Sequence, residues 1–431
     1  MIIGCAILVL FSGVIFTGSV GAQKKPKKYT IKSAIEEAIA NSYSLKAKKE
    51  QLNQATNIKN QARSDFLPKF SLNYGYSKLN EARKLGGIDI SADETFRFVG
   101  NFTQPLFTGF GLISAYNLSK LGIDQSEMNL ELERLDLALR VKTAYYNVLL
   151  ADAGIDVAEK SVEALESAVN VSRSFHKVGM VPINDVLQAE VDLANSVQAL
   201  TRAKNDARLA RASFNTILVR GVNEPVELER IRKFDPEIGQ FEKYRELALK
   251  NRPEIKLIDI NIQQADQQIN LAKSKYWPEI AFTYNYIKEG DTLAVDGSPL
   301  HDRSSWEALV TAQWTFWEWG KTVNSQREKE SFRRELMEVK NTLVDNITLE
   351  VKQAILDLET AVENIPTTQK AVEQGEENLR VNEERYKAQV STILDLLQAQ
   401  ALLVQARVNN ISSLYTSALA RATLDRAIGI Y

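Results

Sequence analysis

"KFSLNYGYS" (Lys69–Ser77) alternates without error: Phe70, Leu72, Tyr74 and Tyr76 fall on one face, Ser71, Asn73, Gly75 and Ser77 on the other. A period of two is the mark of a strand. Here one face is apolar and aromatic, and the other is small and polar. A membrane β-barrel with a wet lumen produces this pattern, and so does a half-buried soluble sheet. The rest of the chain has to decide between them.

The pattern comes back. "EIAFTYNYI" (Glu279–Ile287) sets Ile280, Phe282, Tyr284 and Tyr286 against Ala281, Thr283 and Asn285. "SWEALVTAQWTFW" (Ser305–Trp317) sets Trp306, Ala308, Val310, Ala312, Trp314 and Phe316 against Glu307, Thr311, Gln313 and Thr315. "TFRFVGNFTQPLF" (Thr95–Phe107) is noisier but keeps Phe96, Phe98 and Phe102 in step. Strands are therefore expected near 68–78, 95–107, 278–288 and 305–317. Face parity between copies holds at a shift of 210, whereas "QPLFTGFG" meets "QWTFWEWG" at 209. One residue must slip near Pro105, as a β-bulge would allow.

The duplication covers much more than strands. "GMVPINDVLQAEVDLA" from Gly179 returns as "QVSTILDLLQAQALLV" from Gln389, with Asp185 on Asp395, Leu187 on Leu397, Gln188 on Gln398 and Ala189 on Ala399. Asn41 falls on Asn251, Pro68 on Pro278, and Tyr74 on Tyr284. Two copies are too few for a stacked solenoid, so each is a substantial unit. The expected division is a leader over 1–22, a first structural repeat over 23–235 and a second over 236–431. Each repeat should run short helix, strand, strand, long helix, short helix.

The helices carry heptad seams. From about Phe110 to His176 no proline occurs, and Leu137, Val141, Ala144, Val148, Ala151, Ile155, Ala158, Val162, Leu165 and Val169 step by four and three. A second seam (Val157, Ser161, Ala164, Ala168, Val171, Phe175) lies beside it, so the helix should touch a neighbour on each side. A soluble spectrin-like bundle also uses broad seams. Length argues for a wall: the long run spans roughly 100 Å, and the short helices near 30–64 and 183–217 about 50 Å each. Two short helices end to end match one long one.

Composition excludes several classes. The chain of 431 residues carries 53 Lys and Arg against 55 Asp and Glu, so there is no basic field and nucleic acid is not an expected partner. One Cys and two His rule out a disulfide framework and a Cys/His zinc cluster, so no metal and no cofactor are expected. The apolar run from Ala6 to Phe16, followed by "TGSVGA", reads as an export signal with cleavage after Ala22. "IIGC" at Cys5 resembles a lipoprotein box, but it precedes the apolar core and so argues against lipidation at this start. Beyond residue 22 no run of 18 apolar residues could form a membrane-spanning helix.

Export and the density of Tyr and Trp favour the membrane barrel. Four strands cannot close one, since the smallest membrane barrels need about eight. An open edge in lipid strands backbone groups at several kcal/mol each. Copies of the chain must complete the cylinder, and twelve strands from three chains is the smallest option that leaves an open bore. The loops "NEARKLGGIDISADE" and "KEGDTLAVDGSPLHDR" are polar and glycine-containing, as suits a watery rim.

With these features the sequence resembles the TolC-like outer-membrane efflux protein family over nearly all of the chain after the leader. The duplicated "DVLQAE" and "DLLQAQ", the "FLPKFSLNYGYS" junction and "QPLFTGFG" carry the resemblance. It implies a mainly α protein with a small β part: a long α-helical barrel continued by a transmembrane β-barrel, four strands per chain, in two internal repeats. It also implies a homotrimer in outer-membrane lipid with a large periplasmic portion. Such a trimer serves as the passive exit duct of a tripartite efflux pump or type I secretion system. A periplasmic adaptor protein and an inner-membrane transporter would be its partners.

By the same resemblance the turns after the long helices form the periplasmic tip. Val178, Gly179 and Met180 would contact the adaptor, as would Ala388, Gln389 and Val390, although Gln389 stands where the family usually has Gly. Asp395 matches the family position whose carboxylates narrow the closed mouth; the second acidic position is Gln398 here. Asp185 and Tyr386 match positions that link neighbouring tip helices, with Ser391 in place of the expected basic partner. A first-turn carboxylate is also favoured by the helix dipole without any gating role.

No catalytic constellation stands out. "WGKT" at Trp319 lacks the first glycine of a phosphate loop, and His176 and His301 have no nucleophile or metal partner in evident spacing. No enzyme is expected. The competing reading is a periplasmic coiled-coil scaffold or adaptor without a pore, which would have no use for four aromatic-faced strands in matching parity.

Overall fold

The structure, a computed structural model, describes residues 27–90, 92–230, 238–298 and 302–431. The expected leader with Cys5, and also His301, lie outside the described residues.

The first half begins with β1 (Lys27–Tyr29), α1 (Ile31–Asn41) and α2 (Tyr43–Ser64). Strand β2 (Lys69–Lys78), a small hairpin of β3 (Lys84–Leu85) and β4 (Ile88–Asp89), and β5 (Glu94–Thr108) follow. Helix α3 (Gly111–Lys177), helix α4 (Ile183–Ile217) and β6 (Val226–Leu228) complete it. The second half has α5 (Phe241–Asn251), α6 (Pro253–Lys273), a 3-10 turn at Ser274–Tyr276, β7 (Glu279–Gly290) and β8 (Ser305–Gln313). Helices α7 (Lys321–Lys387) and α8 (Ile393–Ala427) end the chain. Helices α3 and α7 are each 67 residues long, and α4 and α8 are each 35. Each starts 210 residues after its counterpart.

The molecule is mainly α with one four-stranded sheet, ordered β2-β5-β7-β8 and antiparallel throughout. The two hairpins are the same object written twice: Lys69 pairs with Thr103 in the first, Glu279 with Gln313 in the second. The expected slip is present. Register between β5 and β7 shifts between Pro105 and Phe107, where proline has no N–H to give the ladder.

Two expectations need correction. The segment read as one short helix over 30–64 is two, broken at Ser42. The Ser42 N–H donates to the Ala38 carbonyl (2.8 Å) and closes α1, while its hydroxyl accepts from the Leu45 N–H (3.4 Å) and opens α2. The second copy breaks at the same place, where Pro253 takes the first position of α6. The fourth strand, expected to reach 317, ends at Gln313. Its partner β7 starts at Glu279, so the residues after Gln313 have no backbone to pair with inside one chain.

Both seams of α3 are used. Leu137, Val141, Val148, Leu165 and Val169 are buried, as are Val157, Ser161 and Ala168 of the second seam. Helix α3 touches α4 and also α2, α6 and α8, the flanked position that a curved wall demands. At mid-length Tyr145 donates its hydroxyl to the carbonyls of Tyr29 (3.0 Å) and Glu229 (2.8 Å), and Phe214 packs edge-on against Tyr29 and Tyr145. That cluster fastens the β1–β6 pair to the helices. No described helix is long and apolar enough to cross a membrane.

Candidate functional site

Two regions hold the chemistry: the faces of the sheet, and the turns at the far ends of α3 and α7.

Pairing turns the alternation of single strands into rows across the sheet. Leu72, Gly100, Tyr286 and Trp306 form one row, and Phe70, Phe102, Tyr284 and Ala308 the next. Phe70 meets Phe102 edge-on at 5.1 Å, and Tyr284 stacks on Trp306 at 6.1 Å. On the opposite face Ser71, Asn101, Asn285 and Glu307 form a polar row. Asn101 donates to Asn285 Oδ1 (2.7 Å), and Arg97 pairs with Glu289 (2.8 Å). The aromatic face is not covered by the chain's own helices: Phe70 is 77% exposed and Leu72 76%. Both outer strands are exposed along their whole length.

The tips are built by repeated backbone chemistry. Helix α3 closes with Gly179 N–H donating to the His176 carbonyl (2.9 Å) and Met180 N–H to that of Phe175 (2.9 Å). This is a Schellman ending, which requires a left-handed residue, and Gly179 supplies it at φ +76°. Helix α7 closes identically, with Gln389 N–H to Tyr386 and Val390 N–H to Arg385. There Gln389 is forced to φ +63°. Val178, Met180 and Val390 are exposed apolar side chains on these turns.

The next helices start differently. Helix α8 has a capping box: Asp395 Oδ2 accepts from the Thr392 N–H (3.0 Å), and Thr392 Oγ1 accepts from the Asp395 N–H (3.3 Å). The Thr392 backbone N–H, then its hydroxyl, holds the exposed Asp395 carboxyl below the usual carboxylate range. Helix α4 has Pro182 at the cap position and no side-chain cap; Asp185 sits in its first turn. Gln398 is exposed, one turn into α8.

Tyr386 is buried, 2% exposed, against Phe175 at 5.7 Å in a cluster with Leu165, Val169, Leu396 and Leu397. Its hydroxyl is enclosed beside that of Ser172, which favours the charged form but falls short of good hydrogen-bond geometry. Burial, with the Asp185 carboxylate adding to it, holds the Tyr386 phenol above its ordinary pKa. Within one chain Asp185 and Tyr386 are thus near each other but not joined.

One residue at the tip escapes a motif-based reading. Arg173 on α3 grips Glu190 on α4 through Nε (3.0 Å) and Nη2 (2.6 Å). At a shift of 210 the same places hold Glu383 and Gln400. Gln400 is 5% exposed, its amide has no partner, and with Tyr386 and Leu379 it lines a cavity of about 40 Å³. The signal was present in the repeat: an ion pair in one copy and an acid beside an amide in the other. Among the described residues no cluster of His, Cys, Asp and Glu could hold a metal.

Comparison with known proteins follows the same lines. The family model for "Outer membrane efflux protein" matches residues 34–218 and 244–430. The chain is similar to the outer membrane efflux protein BepC of Brucella suis biovar 1 (strain 1330), 21% identical over 98% of this chain and 89% of that protein. It is similar to the outer membrane protein TolC of Escherichia coli (strain K12), 22% identical over 86% of this chain and 76% of that one. Its fold matches the outer membrane protein VceC of Vibrio cholerae with a TM-score of 0.79 at 17% identity, over 93% of this chain and 96% of that one. The outer membrane channel CmeC of Campylobacter jejuni matches with 0.80 at 17% identity, over 99% and 94%. An aromatic sheet face left bare, a long helical wall and a model match over most of both repeats lead to one assignment: this chain belongs to the outer membrane efflux protein family.

Proposed function

We propose that three copies of this chain close a twelve-stranded barrel in the outer membrane, continued by a helical tunnel into the periplasm. The assembly acts as the passive exit duct of a tripartite efflux pump. The observation that carries this reading is the sheet itself. Two unpaired edges cannot persist in lipid, where each unpaired backbone group costs several kcal/mol, whereas the uncovered aromatic face is suited to it. Copies of the same chain supply matching edges. The polar row of Ser71, Asn101, Asn285 and Glu307 then faces a wet bore.

The tip turns serve as adaptor contacts and as the closing end. Exposed Val178 and Met180 around Gly179, and Val390 beside Ala388 and Gln389, are the apolar points a periplasmic adaptor would grip. Asp395 narrows the mouth as a ring of three carboxylates, with Gln398 a turn behind it; acidic rings favour cations. Asp185 reaches Tyr386 only when the tip helices draw closer than in a single chain. The inner-membrane transporter supplies energy, and the duct itself performs no chemistry.

Conductance of the purified protein in planar bilayers tests the reading. Discrete channels that prefer cations are expected, and Asp395→Ala should shift the reversal potential toward non-selectivity. Because Asp395 also caps α8, Thr392→Ala is the control: it loses the cap and keeps the carboxylate. Full solubility without detergent and no channels would return the scaffold reading to the front.

A further inference from the structure

The two hairpins of the sheet end in opposite charge. Strand β2 closes on Lys78, which lies opposite Glu94 and meets it at 2.6 Å. At a shift of 210 the same places hold Lys288 and Ser304, and Arg303 stands where the first copy has Asp93. At these three places the first copy carries one base and two acids. The second carries two bases and no acid.

Strand pairing places Lys288 on the aromatic face. It lies opposite Phe98, which lies opposite Tyr74, while Arg97 and Glu289 form their ion pair on the other face. Lys288 is half-buried and two residues from the end of β7. That end is the one away from the helices, since α2 leads into the start of β2 and α3 leaves from the end of β5. In a barrel continued by a periplasmic tunnel it is the outer rim. A lysine there lays its apolar stem along the aromatic rows and holds its ammonium at headgroup depth.

The segment after β7 builds the surroundings. Gly297 N–H donates to the Glu289 carbonyl (3.1 Å), and the Tyr74 hydroxyl donates to the Leu293 carbonyl (2.8 Å). A Cβ on Gly290 would lie 3.1 Å from the Gly297 nitrogen, so the loop turns back over this end of the sheet. Arg303 closes on the same loop: a Cβ on Gly297 would lie 3.3 Å from the Arg303 Cα. Leu293 remains 75% exposed. The loop's Asp296 accepts from the Thr292 hydroxyl (2.8 Å). Among the described residues neither Lys288 nor Arg303 forms an ion pair.

We propose that Lys288 and Arg303 bind the phosphate of an outer-leaflet lipid, one site per chain. The first hairpin has no such site, because Glu94 and Asp93 already answer Lys78. This inference rests on the proposal that the sheet belongs to a barrel in the outer membrane. Charge and surface together select the occupant. Two cations without a carboxylate complement an anionic headgroup, and exposed Leu293 with the Tyr74–Phe98 row offers apolar surface to the chains attached to it. A free phosphate would use the cations alone.

Native mass spectrometry of the detergent-solubilised protein, titrated with the diphosphorylated glycolipid lipid A, tests the site. Lys288→Gln should weaken binding about fivefold, the weight of one basic residue at an anionic surface. Adding Arg303→Gln should weaken it further. Ser304→Glu, which writes the first copy's carboxylate into the second, should weaken it as much as Lys288→Gln while keeping the lysine. Lys78→Gln should leave binding unchanged, since its charge is already met. Excess inorganic phosphate should not displace the lipid; displacement would overturn the lipid as occupant and leave a site for the anion alone. Equal binding by the unaltered protein, Lys288→Gln and Ser304→Glu, in protein that is trimeric and forms channels, overturns the site and leaves the duct standing. Protein that is soluble without detergent and forms no channels overturns the duct, and the site with it.

Discussion

Gln389 is where residue chemistry and backbone demand disagree. Left-handed backbone costs a side-chain-bearing residue about 1–2 kcal/mol, and Gly179 avoids this at the other tip. Gln389→Gly should therefore stabilise the tip, by about 0.5–1 kcal/mol after the extra entropy of a free glycine. A higher urea midpoint for the helical circular dichroism of the detergent-solubilised protein would register it. Arg252 sits at the opposite extreme. It is buried, and its guanidinium donates to Glu254 (2.6 and 3.2 Å) and Glu350 (2.5 Å), while Arg426 reaches Glu254, Glu350 and Asp136. Burial alone would raise the Glu254 pKa; the hydrogen bonds from Arg252 and from its own backbone N–H, with the charges of Arg252 and Arg426, together outweigh it and hold the carboxyl below its usual range. A depressed folded pKa gives stability that is present above the unfolded value of about 4.3 and is lost as pH falls below it. Glu254→Gln should thus weaken the protein at neutral pH and flatten the acid limb of its stability profile. Arg252→Ala, which leaves Glu254 and Glu350 to share Arg426 alone, should cost about 3 kcal/mol by the same urea measurement.

The helical elements show how much a repeat can hide. Helices α3 and α7 have equal lengths and equal ends, yet α7 runs through Pro366 where α3 has Asp156. Proline removes the N–H that would meet the Val362 carbonyl, and an interior proline costs a helix up to about 3 kcal/mol. Close to it, Thr368 Oγ1 reaches Ser413 Oγ (2.9 Å) on α8. Pro366→Ala should raise the stability of the α7–α8 pair, by about 1–3 kcal/mol, and slow amide exchange around residues 362–366. Unchanged exchange there would mean that α7 already accommodates the proline without loss. The break at Ser42 was illegible for a related reason. In the second copy Pro253 announces the boundary, whereas in the first a serine ends one helix and starts the next with no proline or glycine to mark it.

At the scale of the whole molecule, one chain is an incomplete solvent system. Its apolar sheet face and its two open edges are stable only against lipid and further strands, so folding, membrane insertion and assembly are expected to be coupled. Replacing Trp314 and Trp317 with serine should lower the yield of trimer relative to monomer while leaving the helical circular dichroism signal nearly intact, since neither residue is packed into the helical clusters. Native mass measurement of the purified variant checks this.

By itself the amino-acid sequence determined the parts: four alternating strands with their faces, the slip at Pro105, two seams on the long helix and the duplication at 210. Each follows from side-chain periodicity, which local backbone geometry imposes at one or two turns' range. Only the tertiary structure decided which strand borders which, where β8 runs out of partner, and that Tyr386 and Gln400 line one buried space. Those outcomes depend on contacts between residues far apart in the chain, and the periodicity of a segment carries no record of what will lie against it.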